Sequence, residues 1–448
     1  MNSVTLATMC ALAVACGRDT TEPGVGALEL TVSTTGRDLD TDGYTVTVDA
    51  GNPVTVPTNG TLSIPDLSAG QHTLTLAALA SNCVLGTPGP LQVTLPGPEG
   101  ASARVEVTCS LIYTLAYQGS AGVELTDAAG AVHRTLVPDA KPLAWSPDGR
   151  LLAVVKTQDP NTIWLSNPDS GGLRQLTHVG EVEIHEIFTA KWAPDSRDLL
   201  YEVLGGPNSF PIFLRRMALD GSFNGSENYY AQAELACIKL MQVGTAPDWS
   251  PDGSQIVVHA PDYVEGPEVY VLNREGTDQR LLTKGQQPDW SPDGSAIVFV
   301  AGPSACEGVR RSRSVSLHLI SPDGSNDRPL TLPTQQETDE NPAWSPDGSK
   351  VAFTRLGIVD DSDVTSTLKY VVTSVSVHVI EADGTNEHQL ALLPRDERDV
   401  HFMPSWSSDG QHLSLAGKAG TFVVNSDGSD FHMVSDAATP YIPALWRP

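Results

Sequence analysis

A short phrase, Trp-Ser-Pro-Asp-Gly, recurs along most of this 448-residue chain. Six tryptophans carry the phrase or a close variant, and a seventh stands near the C-terminus, at intervals of 40 to 62 residues: Trp145, Trp192, Trp249, Trp290, Trp344, Trp406 and Trp446. Self-similarity at such a period indicates stacked units, because one unit cannot bury its apolar face alone. The repeat therefore predicts an array of like units.

Each unit reads as four strands joined by tight turns. Ser-Pro-Asp-Gly suits a type I turn, with Pro holding φ at the second position and Gly at the fourth. An apolar strand such as Ile256–Ala260 follows this turn, and a second strand, a second glycine turn and a last strand complete the unit. Four such strands are one blade of a β-propeller, and the tryptophan is expected to be a structural corner between neighbouring sheets.

The number of units can be counted from the second glycine turn. It occurs seven times, in Asp127–Gly130, Asp169–Gly172, Leu219–Ser222, Arg274–Thr277, Pro322–Ser325, Ala382–Thr385 and Ser426–Ser429. The first unit begins near Ile112 without a tryptophan strand, and the last stops just after Trp446. We therefore predict a seven-bladed propeller over residues 111–448, closed by pairing of its first and last strands, which leaves no long open edge.

The repeat resembles a known family. Pro-x-Trp-Ser-Pro-Asp-Gly, followed by an apolar strand and later by Asp-Gly and Leu-Thr, is similar to the WD40-like (PD40) repeats of TolB, the periplasmic propeller of the Tol–Pal system. The same pattern resembles the propeller domains of prolyl oligopeptidases. The resemblance implies the fold of residues 111–448 but no particular function, since TolB has fewer blades and a different N-terminal domain.

Residues 24–110 alternate apolar and polar side chains with the period of a strand. Gly, Pro and Asn separate six such segments: Ala27–Ser33, Tyr44–Ala50, Thr61–Leu67, His72–Leu79, Leu91–Leu95 and Ala103–Cys109. Each is expected to be a strand with one buried face. Six or seven strands of this kind predict a small β-sandwich, and the segment resembles immunoglobulin-like or prealbumin-like modules of bacterial surface proteins. The whole chain is therefore predicted to be all-β.

Residues 1–16 resemble a bacterial lipoprotein signal. Val4–Ala15 is apolar but too short to cross a bilayer, and small residues precede Cys16. The resemblance implies export and a lipid on Cys16. A signal peptide normally begins with Lys or Arg, whereas none precedes Arg18, which leaves an upstream start and secretion without a lipid as open alternatives.

Four cysteines lie beyond the signal region: Cys83, Cys109, Cys237 and Cys306. An even number in an exported chain suggests disulfides. Cys83 and Cys109 share the predicted sandwich and are expected to pair, which leaves Cys237 and Cys306 for each other. No Cys-x-x-Cys occurs, so neither a zinc site nor a redox motif is supported.

The charge balance limits the partners. Acidic residues outnumber basic residues by 54 to 27, for a net charge of −27 at pH 7. Such a charge repels phosphate backbones and anionic lipids, so nucleic acid is not an expected partner and the membrane is reached only through the N-terminal lipid. Solubility is the plainest reason for the charge, and we expect a monomer.

The sequence carries no clear catalytic motif. Gly-x-Ser-x-Gly is absent, and the serine of the turn phrase has no base beside it. We therefore expect a protein that is not an enzyme and holds no cofactor. The alternative is a metal-dependent polysaccharide lyase or hydrolase, because similar propellers include lyases with a histidine-bound metal in the central channel.

A weak calcium site is conceivable in the sandwich. Asp38, Asp40 and Asp42 spell the first half of a calcium loop, and Asp49 stands at its twelfth place. The intervening residues read as a strand, which would carry Asp49 about 20 Å from Gly43. An acidic hairpin turn is therefore the favoured interpretation.

Binding residues are expected in the long connections. Both glycine turns of each blade should lie on one face of the propeller, and the longer connections, 223–245, 302–314, 356–368 and 394–404, on the other. Variable loops on a rigid scaffold often carry recognition, and Tyr and Arg often anchor interfaces. The candidates in these loops are Tyr229, Tyr230, Arg310, Arg311 and Arg313.

These expectations describe an exported, lipid-anchored protein of the cell envelope, either periplasmic, associated with the outer membrane or at the cell surface. Its predicted function is non-catalytic binding of an envelope protein or glycan on a propeller scaffold. A structural envelope protein without a specific ligand remains the other alternative.

Overall fold

The computed structural model describes residues 24–40, 42–80, 82–169, 171–177, 184–205, 212–219, 229–231, 247–260, 267–301, 315–360, 370–394, 402–437 and 443–448. Every regular element in these ranges is a β-strand, so the predicted all-β class is confirmed. The described residues contain no helix long and apolar enough to cross a membrane. Backbone contacts divide the chain into two compact units, Met1–Ser110 and Leu111–Pro448.

The N-terminal unit consists of two four-stranded sheets around one apolar core. Its strands are β1 (Val25–Gly36), β2 (Tyr44–Val48), β3 (Val54–Val56), β4 (Gly60–Ser68), β5 (Gly70–Ala77), β6 (Cys83–Leu85), β7 (Leu91–Leu95) and β8 (Ala101–Cys109). The sheet orders are β4-β1-β8-β6 and β3-β2-β5-β7. Leu28 and Val107 of the first sheet and Tyr44 of the second meet in the core. Two strands, β3 and β6, were not predicted, because three residues are too few to show alternation.

Cys83 and Cys109 form a disulfide between directly opposite residues of β6 and β8. The predicted pairing of these two cysteines is confirmed. The bond secures a three-residue edge strand that could contribute few hydrogen bonds of its own. Cys16, Cys237 and Cys306 lie outside the described residues, so their predicted states stay predictions.

A buried histidine of this unit is held in its charged form. His72 Nδ1 lies 2.7 Å from Asp49 Oδ2, and Nε2 lies 2.7 Å from the carbonyl oxygen of Ser68. A carbonyl and an ionised carboxylate can only accept, so both ring nitrogens donate. The bonds to Ser68 and Asp49 raise the pKa of His72 above its usual range.

We predict that this unit loses stability as the pH rises above neutrality. Because the folded pKa of His72 exceeds the unfolded value of about 6.5, its contribution is complete below that pH and disappears as the pH passes the folded pKa. Thermal unfolding of the wild type and of His72→Gln should differ most near pH 5 to 6, roughly one unit below that unfolded value, and converge in alkali. A difference that grows with pH would show that His72 is neutral in the folded unit.

The second unit contains, within the described residues, seven four-stranded sheets, here called blades 1 to 7. Blade 1 comprises β36 (Leu445–Trp446), β9 (Leu115–Gly119), β10 (Gly122–Thr126) and β11 (His133–Pro138); blade 2 comprises β12 (Ala140–Trp145), β13 (Leu152–Lys156), β14 (Asp159–Asn167) and β15 (Gly172–Gln175). Blade 3 comprises β16 (Ile184–Trp192), β17 (Asp198–Gly205), β18 (Ile212–Ala218) and β19 (Tyr229–Ala231); blade 4 comprises β20 (Asp248–Trp249), β21 (Gln255–Ala260), β22 (Glu268–Asn273) and β23 (Arg280–Lys284). Blade 5 comprises β24 (Gln286–Trp290), β25 (Ile297–Ala301), β26 (Ser316–Ile320) and β27 (Arg328–Pro329); blade 6 comprises β28 (Glu337–Trp344), β29 (Lys350–Asp360), β30 (Tyr370–Glu381) and β31 (His388–Leu392). Blade 7 comprises β32 (Met403–Trp406), β33 (His412–Gly417), β34 (Gly420–Asn425) and β35 (His432–Ser435).

The first strands of the blades form a closed circle. Each contacts the first strand of the next blade, in the order β36, β12, β16, β20, β24, β28, β32 and back to β36. The C-terminal strand reaches blade 1 by pairing Leu445 with Ala116 and Trp446 with Leu115. The circle therefore surrounds a central channel, which the first strands line.

The tryptophans bond neighbouring blades around this circle. In five of the seven joints, the indole N–H donates to the backbone carbonyl of the residue that precedes the tryptophan of the previous blade. The pairs are Trp145 to Leu445 (3.1 Å), Trp192 to Ala144 (3.1 Å), Trp249 to Lys191 (3.4 Å), Trp406 to Ala343 (3.1 Å) and Trp446 to Ser405 (2.9 Å).

A second ring of bonds joins the blades farther from the channel. A basic residue at or near the start of the last strand of a blade donates to a carbonyl at the second glycine turn of the next blade. The pairs are Arg134 to Pro168, Arg174 to Leu219, Arg280 to Pro322, Arg328 to Ala382 and His432 to Ala128. The basic residue near Leu-Thr in the repeat thus has a structural role that sequence inspection did not assign.

The turn phrase is a structural corner in which each residue has a part. Gly149 N–H donates to the carbonyl of Ser146, and Ser146 Oγ donates to Asp148 Oδ1 at 2.6 Å. Gly149 adopts a φ of +64°, where other residues are strained. The aspartate is therefore occupied within the turn, and the same bonds from Ser345 and Ser349 lower the pKa of Asp347 to about 2.

One predicted loop begins as a strand. Of the connection expected at 356–368, residues 356–360 belong to β29, residues 361–368 lie outside the described residues, and β30 begins at Tyr370. Ile358 pairs with Val372 and Val359 with Val371, beyond the last pair of β29 with β28 at Gly357. The β-branched residues of both segments favour this extended hairpin over a loop.

Candidate functional site: a charged cluster at one end of the channel

Seven positions that immediately precede a blade tryptophan lie side by side around one end of the channel. In blade order they are Leu445, Ala144, Lys191, Asp248, Asp289, Ala343 and Ser405. Each is the next-to-last residue of its first strand, beside the short turn. Four are small or apolar, whereas blades 3, 4 and 5 place Lys191, Asp248 and Asp289 at adjacent positions. We call these three residues the channel-end cluster.

Direct contacts connect the members of the channel-end cluster to each other and to the next blade. Lys191 Nζ lies 3.2 Å from Asp248 Oδ1. Asp248 Oδ2 accepts the backbone N–H of Trp290 at 3.0 Å, and Asp289 Oδ2 accepts that of Trp344 at 2.9 Å. The Asp248 carboxylate is also close enough to Asp289 to disfavour ionisation of that carboxyl group. Each carboxylate therefore bridges from its own blade to the following one.

The electrostatics of the cluster are unusual for surface residues. Burial and the neighbouring Asp248 charge raise the pKa of Asp289 to about 7. The Asp248 carboxylate raises the pKa of Lys191, which therefore stays charged. Lys191 keeps 49% of its side chain exposed and Asp248 keeps 16%. Side chains that are surrounded by protein atoms but still contact water are expected in the wall of a channel.

The cluster coincides with a break in the inner ring of bonds. The indole N–H groups of Trp290 and Trp344 are buried and have no partner in the structure. These are the two joints at which the preceding blade carries an aspartate, whose carboxylate instead accepts the backbone N–H of the same tryptophan. A buried donor without a partner costs about 1–3 kcal/mol. A sequence that breaks its own repeat at such a cost marks a functional position.

Of the predicted binding residues, the structure describes only Tyr229 and Tyr230. Tyr229 and Tyr230 are part of β19, the outermost strand of blade 3, rather than a loop, because they pair with Leu214 and Phe213. Arg310, Arg311 and Arg313 lie outside the described residues. The channel-end cluster was not predicted, although its signal was present: the residue before the tryptophan changes from small or apolar to charged in three consecutive units.

The three aspartates of the weak calcium candidate do not form a metal-binding group within the described residues. Asp38 and Asp40 are buried, and Asp40 Oδ2 accepts the backbone N–H of Ala80 at 2.7 Å. Burial and the bond to Asp42 raise the pKa of Asp40, which disfavours a charged metal ligand. Across the part of the chain that the structure describes, no group of three or more His, Cys, Asp or Glu side chains could hold a metal ion.

A serine, a histidine and a glutamate in blade 6 are spaced like a hydrolase triad. Ser376 Oγ lies 3.0 Å from His378 Nε2, and His378 Nδ1 lies 3.2 Å from Glu387 Oε1. His378 Nδ1 is nevertheless out of line for a hydrogen bond. Ser376 is only 6% exposed, and Arg355 occupies the same oxygen of Glu387. The arrangement is therefore a buried polar network and not a site that a substrate could enter.

Comparisons with known proteins place the fold. No protein-family model matches the chain. No curated protein matches it. Similar solved structures include TolB from Acinetobacter baumannii, with 16% identity over 77% of this chain and 82% of that chain at a TM-score of 0.44. An oligogalacturonate lyase from Vibrio parahaemolyticus shares 14% identity over 73% of this chain and 85% of its own, with a TM-score of 0.47. A puromycin hydrolase complexed with PGG shares 16% identity over 73% of this chain and 53% of its own, with a TM-score of 0.50.

The second unit is a β-propeller by its seven described four-stranded sheets, and at these identities the likeness to solved structures concerns the fold alone. The prediction that the chain is not an enzyme is wrong, because enzymes are among the proteins that share its fold. A puromycin hydrolase is among the solved structures that share this fold. The scaffold is compatible with binding and with catalysis, so the role of this chain has to be argued from its own residues.

Proposed function

We propose that this chain is an exported, lipid-anchored protein of the cell envelope whose propeller binds an envelope protein or glycan at the channel-end cluster. The observation that carries the proposal is the coincidence of the charged cluster with the two open tryptophan joints. The signal-like N-terminus with Cys16 and the TolB-like propeller support the envelope location.

The place of the cluster supports access by a ligand. It lies beside the short turns, where no long connection intervenes. Lys191 can also donate to a ligand, since an ammonium group has three N–H donors, one of which reaches Asp248, and half of the side chain is exposed. The proposed site is thus at the opposite end of the blades from the strand ends that the long connections join.

The test uses variants that restore the repeat. Ala144 and Ala343 precede bonded joints, so a triple alanine variant of Lys191, Asp248 and Asp289 should fold and close both open joints. The chain from Gly17 onward serves as bait on envelope extract. We expect a stoichiometric protein or glycan that the triple variant captures at least tenfold less well, and Asp430→Asn, whose side chain is 68% exposed, is the matched control. Equal capture by the triple variant and the wild type would refute the site.

The same cluster supports acid–base catalysis as a second candidate. A carboxyl group whose pKa lies near 7 can donate and accept a proton at neutral pH. Asp248 disfavours ionisation of Asp289, as in a pair of carboxyl groups that shares one proton. Release of products from peptidoglycan fragments or polysaccharides by the wild type, but not by Asp289→Ala, would favour this candidate over binding.

A further inference from the structure

Strand β7 (Leu91–Leu95) forms one edge of the N-terminal unit. It is the last strand in the sheet order β3-β2-β5-β7, and its five residues pair with β5. An edge strand presents unpaired backbone N–H and C=O groups, to which another strand can add. The chemistry of this edge therefore decides whether a strand of another molecule can pair with it.

The other edges of this unit carry protections that β7 lacks. Edge strand β4 contains Pro65 and, with a φ of +61°, Asp66, and edge strands β3 and β6 have three residues each. Proline, irregular backbone and short length are the usual protections of natural sheet edges. A charged side chain is another, but residues 84–98 contain no Asp, Glu, Lys, Arg or His. Of the four edges, β7 is therefore the one suited to strand addition.

The hydrogen bonds of β5 show which backbone groups of β7 point outward. Asp49 N–H donates to the carbonyl of Thr73 at 2.8 Å, and Thr73 N–H donates to Asp49 Oδ1 at 2.8 Å, so the backbone groups of Thr73 point away from β7. Backbone direction alternates along an antiparallel strand, which turns the groups of the two neighbours of Thr73 toward β7. Val93 pairs with one of these neighbours and so bonds to β5. Gln92 and Thr94, one residue to either side, therefore point their N–H and C=O groups away from β5.

Prolines limit this open stretch on both sides. Gln92 and Thr94 are exposed, and the next outward-facing positions are Pro90 and Pro96, which are also exposed. Proline has no backbone N–H. The edge therefore offers two N–H donors, at positions 92 and 94, and a paired strand gains no further donor beyond them.

The sequence of this edge is nearly symmetric about Val93. Residues 90–96 read Pro-Leu-Gln-Val-Thr-Leu-Pro, so proline matches proline, leucine matches leucine and an uncharged polar residue matches another at equal distances from the centre. A two-fold interface requires a surface that is complementary to itself. Two antiparallel β7 strands centred on Val93 meet this requirement, because Gln92 then lies opposite Thr94. A strand of an unrelated partner would not require this symmetry, so a second copy of this chain is the occupant that the edge fits.

We infer that two copies of this chain form a dimer through antiparallel pairing of their β7 strands about a two-fold axis at Val93. Gln92 of each copy exchanges N–H···O=C bonds with Thr94 of the other, which gives four backbone hydrogen bonds from two donors on each copy. The two four-stranded sheets become one sheet of eight strands. Leu91 and Val93, which are half-buried and packed against the apolar core, come together across the new seam and are shielded from water.

This dimer differs from the monomer expected from the sequence, and it carries two propellers. A short seam buries little area, so the association is weak in solution. Anchoring of both copies in one membrane through Cys16, as proposed above, raises their local concentration and favours the dimer.

The first measurement is sedimentation equilibrium of the chain from Gly17 onward, between about 10 µM and about 1 mM protein and at about 0.15 M salt, which screens the charge of each copy. The wild type is expected to show a monomer–dimer equilibrium in this range. Thr94→Pro removes one outward N–H from each copy without removing a bond to β5, and should weaken association by about tenfold or more. Thr94→Ala keeps that N–H and is the matched control, which should associate as the wild type does.

A cysteine at the centre of the seam tests the register. In Val93→Cys the introduced thiols lie on directly opposite residues, whose Cα atoms are about 4.5 Å apart in such a pair and can be bridged by a disulfide. Leu91→Cys, at an equally half-buried position of the same face, is the control, because its two thiols would lie about 14 Å apart along the strands. Mild oxidation is expected to produce a covalent dimer of Val93→Cys that dithiothreitol reverses, in large excess over Leu91→Cys and the wild type.

Each measurement can contradict the inference. A wild type that stays monomeric up to about 1 mM, a dimer that Thr94→Pro leaves unchanged, or equal cross-linking of the two cysteine variants would each overturn it. Thermal unfolding of Thr94→Pro and Thr94→Ala shows whether the N-terminal unit is intact in both, and if it is not, the cross-linking result decides. None of these outcomes bears on the channel-end cluster, which belongs to the other unit.

Discussion

Replacing Arg447 with alanine is expected to lower the free energy of unfolding of the propeller by about 3–5 kcal/mol, as when one member of a buried ion pair is removed. The Arg447 side chain is fully buried. It donates to both oxygens of Asp169 at 2.7 and 2.8 Å and to the carbonyl of Gly149 at 2.8 Å. Truncation would leave the Asp169 charge without this partner at the seam between blades 1 and 2.

The expected loss of stability is large because only a short stretch of backbone pairing closes the propeller ring. The C-terminal strand has two residues, and its ladder is extended by the bond from Arg447 N–H to the carbonyl of Thr114 at 2.7 Å. The propeller transition in urea, followed by tryptophan fluorescence, provides the measurement. Arg150→Ala is the control, because that side chain is 76% exposed and should change stability by less than about 0.5 kcal/mol. A similar midpoint for Arg447→Ala and the control would contradict the closure role.

The second large effect is expected at Arg355 in blade 6. Arg355→Met should destabilise the propeller by about 3–5 kcal/mol, because it leaves a buried carboxylate unpaired. Arg355 Nε and Nη2 donate to the two oxygens of Asp339 at 2.6 and 2.9 Å, and the Asp339 side chain is 0% exposed. Burial raises the pKa of Asp339, and the paired guanidinium opposes that rise.

A double variant tests whether the cost comes from the unpaired charge. Arg355→Met combined with Asp339→Leu removes both charges and should recover most of the lost stability, since apolar replacements of buried pairs are often neutral. Urea midpoints of the two single variants and the double variant form the cycle. Additive losses in the double variant would show that packing, and not the uncompensated charge, explains the single variants.

The fold could be predicted from the sequence wherever the sequence pattern was local and repeated. The Trp-Ser-Pro-Asp-Gly corner and the second glycine turn recur often enough to predict four-stranded units, and the alternation of residues 24–110 predicts paired sheets. Strands β3 and β6 escaped notice because they have only three residues. Tyr229 was placed in a loop because its surroundings lack alternation, yet pairing with Leu214 makes it a strand residue.

The candidate site was harder to predict because its residues are far apart in the sequence. Lys191, Asp248 and Asp289 are separated by 57 and 41 residues, and each alone looks like an ordinary polar residue in a repeat. Only the packing of consecutive blades against one another makes them neighbours. The same holds for Arg447 and Asp169, which lie 278 residues apart in sequence and meet because blade 1 contains both ends of the propeller.

By itself, the sequence determined the units: their turns, their strand pattern, their corner tryptophans and the pairing of Cys83 with Cys109. Short-range chemistry suffices for these, since proline, glycine and periodicity act within a few residues. The tertiary structure alone decided which side chains face one another across the joints. Two open tryptophan joints and a carboxyl group that titrates near neutrality arise only when distant blades are brought together, because burial and charge proximity are properties of the assembled ring.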